Sequence, residues 1–368
     1  MNTKKIRAIG AGVLVLLWAV ITAVAWFQPP KEMSESERRP LSQMPDVTFE
    51  NIWNGKFMTE FESYTLDQFT LRDRFRQVKS LFHKYALNQS DTNDIYIVDG
   101  YAAVLEYPYS ESSVQYAAGR FNHLYEKYLK DTGSKIYSTV VPDKGYFLAQ
   151  PNGYLSMDYT SLVEDLKGAM PWSTYVDIMD CLSVEDYYYT DTHWRQENLF
   201  GVAQRLCQAL DVTAPNASDF TKTAVSRPFY GVYYGQAALP MEAETMYVME
   251  SQLLSQCQVY DYESGSYAQV YDMNKLTSRD LYDVFLSGSR SLLRIENPNA
   301  KTDRELIVFR DSFGSSIVPL LVEDYATVTL VDVRYISIDM LDKFMEFHGQ
   351  DVLFLYSTLV LNNSSTIK

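Results

Sequence analysis

Along the chain the apolar residues come first as one block and then as short, spaced groups. Residues Ala8 to Phe27 (AIGAGVLVLLWAVITAVAWF) carry no charge and follow Lys4, Lys5 and Arg7. A helix needs about 20 such residues to cross a bilayer, and a basic flank stays in the cytoplasm, so residues 1–30 read as a cytoplasmic tip and a single-pass anchor. Everything after Gln28 then lies outside. A cleaved signal peptide is the competing reading, because Ala23-Val24-Ala25 has the small-x-small form of a cleavage site. The bulky Trp26 and Phe27 behind that site favour retention. From Pro29 to Pro40 the chain is polar and proline-flanked, as a stalk is.

Between Phe49 and Leu87 the residues Ile52, Phe57, Phe61, Tyr64, Phe69, Phe75, Val78 and Phe82 recur at mostly three- to six-residue steps, which predicts packed helices interrupted at Gly55. Residues 31–90 are therefore a stalk with a helical segment. After Asn88 the pattern changes. Ile95–Val98 and Ala102–Leu105, split by Asp99-Gly100, predict a hairpin, and Val114 to Leu129 a helix ending near Gly133. Short continuous apolar runs at 135–141, 306–309, 327–331 and 352–356 predict strands buried on both faces. A helix with Leu199, Val202, Ala203, Leu206 and Leu210 on one face spans 195–210. Strands alternating with helices predict an α/β domain over 91–368, a parallel sheet covered on both sides. Residues 211–287 break the pattern: they are tyrosine-rich with alternating pieces such as CQVYDYESGSYAQVYD, and predict a β-rich insertion of the kind that roofs a site.

Composition narrows the function classes. With 46% hydrophobic and 21% charged residues the chain can bury a large core. A net charge of -15 argues against nucleic acid as a partner, since that binding depends on clustered Lys and Arg. Cys181, Cys207 and Cys257 are odd in number and far apart, so no disulfide framework or metal clip is encoded. Glu185 and Asp186 lack the further oxygens a hard cation needs, and neither a metal nor a cofactor is expected.

Two stretches carry chemistry. In ELIVFRDSFGSSIVPLL, residues 305–321, a strand runs into Arg310-Asp311-Ser312-Phe313-Gly314 and then a helical pattern. Ligands of parallel sheets bind beyond the carboxyl ends of the strands, which puts Ser312 where chemistry is done, with N–H groups at the helix start to receive an oxyanion. A plain helix cap by Asp311 or Ser312 is the other reading. In YYYTDTHWRQENLFGVAQRL, residues 187–206, Asp191 and His193 point to one side only if they precede the helix. A serine needs an imidazole to take its proton, and the imidazole a carboxylate to orient it; Ser312, His193 and Asp191 supply the three roles. Here too, a helix cap and a surface histidine are the alternative.

D-x-H-W ahead of a helix, with a later R-D-S-F serine, resembles the DHHW proteins and the alginate O-acetylation proteins, a branch of the SGNH hydrolase-like superfamily. RRPLSQMP, DQFTLRDRF, VVPDKGYF, PFYGVYYG, YDVFLSG and VDVRY are similar as well, so the resemblance spans nearly all of the chain after the anchor. The departure is Thr192, where the family name has a second histidine. The resemblance implies an SGNH-like three-layer fold. It also implies an extracytoplasmic O-acetyltransferase whose acceptor is a cell-envelope or exported polysaccharide, its acyl donor delivered by a multi-spanning membrane acyltransferase. A carbohydrate esterase with the same three residues, and a non-catalytic glycan-binding scaffold, are the alternatives. Ser312 and Gly288 are the candidate oxyanion donors. Lys144, beside Asp143 after a strand, Arg310, Arg334 and Tyr234 are candidate substrate contacts, with surface charge, pairing to Asp311 or Asp332, and core packing as their plainer roles.

Overall fold

The structure is a computed structural model that describes residues 3–368. The chain forms two compact units: one holds the residues up to Asn93 together with Tyr234–Pro240, the other Asp94–Tyr233 and Met241–Lys368.

In the first unit, helix α1 (Thr3–Phe27) contains a 23-residue apolar stretch, Lys5–Phe27, long and apolar enough to cross a membrane. Helices α2 (Phe49–Trp53), α3 (Lys56–Asp67) and α4 (Arg72–Tyr85) follow, with Gly55 at a φ of 80° between the first two. That conformation suits glycine, and it explains the interruption read at this position. The expected packing of the apolar residues occurs only in part: Phe57, Phe61, Tyr64 and Phe69 are half-buried, with Phe61 against both Phe57 and Tyr64 and Phe69 against Phe75. The buried residues of α2–α4 are Asp67 and Ser80, whereas Ile52, Phe75, Val78 and Phe82 are exposed. Ion pairs add to these contacts: Asp67 takes a bidentate pair from Arg39, at 2.9 and 2.7 Å, and a hydrogen bond from the Ser42 amide at 2.9 Å. Arg39 holds the Asp67 carboxyl far below the usual range. RRPLSQMP and DQFTLRDRF are thereby tied together.

The second unit is built on an eight-stranded sheet. Its elements in chain order are a hairpin of β1 (Ile95–Val98) and β2 (Tyr101–Val104), α5 (Glu111–Leu124), β3 (Ile136–Val141), α6 (Lys144–Leu148), α7 (Tyr159–Ala169), β4 (Thr174–Tyr175) and α8 (Phe200–Leu210). There follow β5 (Thr221–Ala224), β6 (Tyr247–Glu250), β7 (Gln258–Asp261), β8 (Ser266–Ala268), β9 (Leu292–Glu296), β10 (Arg304–Arg310), β11 (Tyr325–Val331) and β12 (Asp351–Ser357). The spatial order is β8-β7-β9-β11-β10-β12-β3-β4, parallel from β11 to β4 and antiparallel from β8 to β11.

The central strands are apolar at consecutive positions because each face has its own core. Leu306, Val308, Leu353 and Leu355 pack on one side with Val202, Leu206 and Leu210 of α8; Ile307, Phe309, Phe354 and Tyr356 pack on the other with Val114, Phe121 of α5 and Leu162 of α7. Each fully buried side chain of this size contributes about 1.5–3 kcal/mol. The three-layer α/β architecture is the one read from the pattern. The segment 211–287 departs from a self-contained insertion: β5 and β6 pair as a separate ribbon, while β7 and β8 join the central sheet at its antiparallel edge.

Candidate active site

Because β10, β12 and β3 run parallel in adjacent register, their carboxyl ends face one side, and the turns after them carry Asp311-Ser312, Thr358 and Asp143-Lys144. The Asp143 amide donates to Thr358 Oγ1 at 3.1 Å, and the Thr358 hydroxyl donates to Asp143 Oδ1 at 2.8 Å, fastening two of these ends together.

At the end of β10 the roles of cap and reactive group separate. Asp311 is fully buried and organises the turn: Oδ1 accepts the Phe313 amide at 3.0 Å and Oδ2 the Ser357 amide at 2.7 Å. Ser312 is left half-buried, its side chain turned to His193, with 2.8 Å between Ser312 Oγ and His193 Nε2. Gly314 has no room for a side chain, since a Cβ there would stand 2.7 Å from Arg310 Cβ.

Residues 187–194 form a narrow loop closed by a bridge between Tyr187 and Trp194 and by the Tyr188 amide donating to the His193 carbonyl at 3.1 Å. Asp191 and His193 lie at its tip. The 3-10 turn Gln196–Asn198 follows and the α-helix begins only at Phe200, so neither residue caps it. Asp191 is fully buried; its Oδ2 lies 2.6 Å from His193 Nδ1, and its Oδ1 accepts the Val232 amide at 2.8 Å. Gly231 backs this carboxylate so closely that a Cβ would come within 2.2 Å of Asp191 Cβ. The three residues nominated from sequence, 119 positions apart at the widest bond, thus form one connected chain Asp191–His193–Ser312.

Several residues that hold this chain were not nominated. Tyr282 lies flat on the His193 ring, with centroids 3.9 Å apart and planes 9° apart, and its hydroxyl donates to Ser316 Oγ at 2.7 Å. Trp194 Nε1 donates to the same Oγ at 2.8 Å. Glu244 accepts the amides of Tyr189 and Thr190 and the Thr190 hydroxyl, each at 2.8 Å, and pairs with Arg195. Tyr282 and Gly231 fall within YDVFLSG and PFYGVYYG, so a signal existed for their region. For Glu244 no local pattern did. Thr192, at the position of the family's second histidine, accepts a hydrogen bond from the Tyr233 hydroxyl at 3.1 Å.

The other nominated residues are placed as follows. Lys144 is buried rather than lining a cleft: its Nζ donates to the Tyr188 and Tyr189 carbonyls at 2.8 and 3.2 Å and lies 5.1 Å from the centre of the Tyr233 ring. Burial pulls its pKa down to about 7 against the opposing pull of Asp191, Glu244 and Asp143. Arg310 is wholly buried, donating to the Asp311 carbonyl at 3.3 Å, so it offers no surface to a ligand. Arg334 has its fork occupied by both oxygens of Asp332, at 2.9 and 2.6 Å. Tyr234 belongs to the first unit. Gly288 is a turn glycine at a φ of 82° whose N–H donates to the Phe285 carbonyl at 3.1 Å, which removes it as an oxyanion donor. The amides of Phe313, Gly314 and Ser315 are likewise engaged, with Asp311 Oδ1 and the carbonyls of Asp311 and Ser312. The Ser312 amide makes no hydrogen bond among the described residues and stays open.

Residues 174–331 match the family model of the DHHW proteins, a span that contains Asp191, His193 and Ser312. Among curated proteins none matches the chain. In fold it is similar to a DHHW family protein from Eubacterium siraeum, 19% identical, with 75% of this chain and 95% of that one covered and a TM-score of 0.60. It is also similar to Bacillus cereus PatB1 in a structure with a sulfonyl adduct, 17% identical, with 73% of this chain and 95% of that one covered and a TM-score of 0.56. The α/β fold is thus the SGNH hydrolase-like one, and the resemblance to the DHHW proteins read from the sequence holds both on the family model and in the fold.

Proposed function

We propose that the chain is a membrane-anchored, extracytoplasmic O-acyltransferase that acetylates a cell-envelope or exported polysaccharide through an acyl-enzyme on Ser312, with residues 91–368 carrying the chemistry. The observation that carries this reading is the unbroken line from Asp191 through His193 to the Ser312 hydroxyl, with contacts of 2.6 and 2.8 Å. The DHHW resemblance supplies the substrate class.

In the first half-reaction Ser312 Oγ attacks the carbonyl carbon of the acyl donor while His193 Nε2 takes the hydroxyl proton. Asp191, held by the Val232 amide, fixes the imidazole and balances the cation that forms. We assign the Ser312 amide, which makes no hydrogen bond among the described residues, as the donor to the negative charge of the tetrahedral intermediate. Collapse breaks the bond to the donor, whose leaving oxygen or sulfur takes the proton from His193. A sugar hydroxyl then gives its proton to His193 and attacks the acyl-serine, and the second collapse returns that proton to Ser312. Water in place of the sugar gives the esterase reading, which the half-buried position of Ser312 favours. How well the closed site excludes water decides between them.

PatB1 has a structure with a sulfonyl adduct, and the same probe class tests this chain. Full-length protein treated with a sulfonyl fluoride is expected to gain one sulfonyl group, mapped to Ser312 by peptide mass spectrometry. With an activated acetyl ester and an oligosaccharide acceptor, Ser312→Ala and His193→Ala should lower turnover by on the order of 10^6 and Asp191→Asn by on the order of 10^4. Acetate released with no acylated acceptor, even in excess glycan, assigns the chain to the esterase reading. An unmodified Ser312, with His193→Ala as active as the parent, removes the covalent mechanism and leaves a scaffold.

A further inference from the structure

Helix α4 is built the wrong way round for a soluble protein. Its inward residues are ionic: Arg72 pairs with Glu37 at 2.5 Å and with Asp67 at 3.2 Å, Arg76 pairs with Glu37 at 3.2 Å, and Arg76 also donates to the carbonyls of Gly235 and Gln236 at 3.0 and 2.8 Å. Its outward face is apolar. Leu71, Phe75, Val78, Phe82 and Tyr85 recur at steps of four and three, the spacing of one helical stripe, and all are exposed, Val78 by 65% and Tyr85 by 71%. In the same unit Trp53 is 82% exposed and stacks on Phe49, also exposed. A soluble helix hides such a stripe and wets its charges; here the arrangement calls for an apolar medium outside.

The neighbouring elements say which medium. The chain leaving α1 is tied to the junction of α3 and α4 within a few residues: the Lys31 amide donates to Gln68 Oε1 at 2.8 Å, Gln68 Nε2 donates to the Lys31 carbonyl at 2.8 Å, and Gln28 Nε2 donates to the Gln68 carbonyl at 2.5 Å. Trp26, in the last turn of α1, meets Phe61 of α3 with ring centroids 6.3 Å apart. A helix that crosses a bilayer brings its last turn to the headgroup level, where tryptophan resides, so α3 and α4 are held at that level. The charge agrees. Apart from the inward Arg72 and Arg76, α4 carries Arg74, Lys79 and Lys84 against Asp73, in a chain of net charge -15, and a basic amphipathic helix suits an anionic lipid surface.

We infer that α2–α4 form an interfacial foot whose apolar face, centred on Val78 and Phe82, lies in the headgroup–acyl boundary of the bilayer that α1 crosses. The inference rests on the anchor reading of α1, and the experiment separates the two. The full chain is reconstituted into vesicles of phosphatidylcholine and phosphatidylglycerol doped with a phosphatidylcholine bearing a photoreactive acyl chain, irradiated, and its lipid adducts mapped by mass spectrometry. Adducts are expected in α1 and again within residues 71–85. The double variant Val78→Asn, Phe82→Asn changes two exposed side chains and should cut adducts in 71–85 at least about tenfold, the equivalent of roughly 1.4 kcal/mol of lost burial, with α1 labelled as before. Adducts in α1 alone, or adducts in 71–85 that the double variant does not reduce, overturn the foot and leave the anchor. Adducts in neither segment overturn the anchor and the foot with it. Shielding of 71–85 only in native membranes, with no labelling in pure lipid, assigns the face to a protein partner and also overturns it.

Discussion

At the scale of single residues, Lys144 is the group whose environment departs furthest from what its sequence position suggests. VVPDKGYF places it in a loop after a strand, an ordinary place for a surface charge, yet the fold closes over it and aims its ammonium at the carbonyls of Tyr188 and Tyr189, three and two residues before Asp191. It thereby pins the start of the loop that carries Asp191 and His193. Burial lowers its pKa to about 7 in the folded chain, against about 10.4 when unfolded. Between those values the unfolded chain binds a proton that the folded chain has released, so stability rises with pH, by up to about 1.4 kcal/mol per unit. Below about pH 7 both states hold the proton and the contribution is flat. The melting temperature of the parent should therefore climb from about pH 7 to about pH 9, and Lys144→Met should flatten that climb. An equal climb in the variant would mean that another group titrates.

At the scale of elements, the site depends on two strand-end turns and one loop whose positions are fixed by close backbone approach. Gly231 is the tightest of these contacts, standing against Asp191 N, Cα and Cβ. Gly231→Ala should push the Asp191 tip away from Val232, costing about 1–3 kcal/mol of stability, and acyl transfer should fall by far more than the melting temperature suggests. Activity that survives with the loss of stability alone would show that the tip tolerates displacement. Elements differ in how plainly the chain announced them. The runs at 306–309, 327–331 and 352–356 were legible because strands covered on both faces must be apolar at every position. Asp191 and His193 were legible as a pair because D-x-H before a helix puts both on one side, and Ser312 because a strand-turn serine has a known place in such sheets. The joining of β7 and β8 to the sheet edge was not legible, since alternation records which face is buried and says nothing of the partner strand. The same limit hid Tyr282 and Glu244, whose roles arise only when distant segments meet. In α4 the period was read correctly and the direction of the stripe was not, because a helix that rests on lipid and one that rests on protein share the same spacing.

At the scale of the whole chain, the two units are held by different physics, and they should come apart at different free energies. The larger unit buries apolar side chains on both faces of a central parallel sheet. The buried residues of α2–α4 are an aspartate and a serine, so ion pairs, hydrogen bonds and a few half-buried ring contacts such as Phe57–Phe61 hold them. Helices of 5, 12 and 14 residues without an apolar core are marginal in water. Hydrogen exchange on the full chain in lipid nanodiscs should therefore be slowest in β3, β10 and β12, whose amides open only with the whole sheet. The short edge strand β8 should exchange early, and α3 and α4 together at an intermediate level. Acidification should open α3 and α4 first: Arg39 keeps the Asp67 carboxylate ionised far below its usual range, so its contribution is full above the unfolded aspartate value near 3.9 and is lost as pH falls below it. Asp67→Asn should bring the exchange of α3 and α4 at neutral pH close to that acid level while leaving β10 and β12 unchanged. If β10 and β12 lose protection in step with α3 and α4, the chain opens as one cooperative body and the ionic unit has no stability of its own to measure.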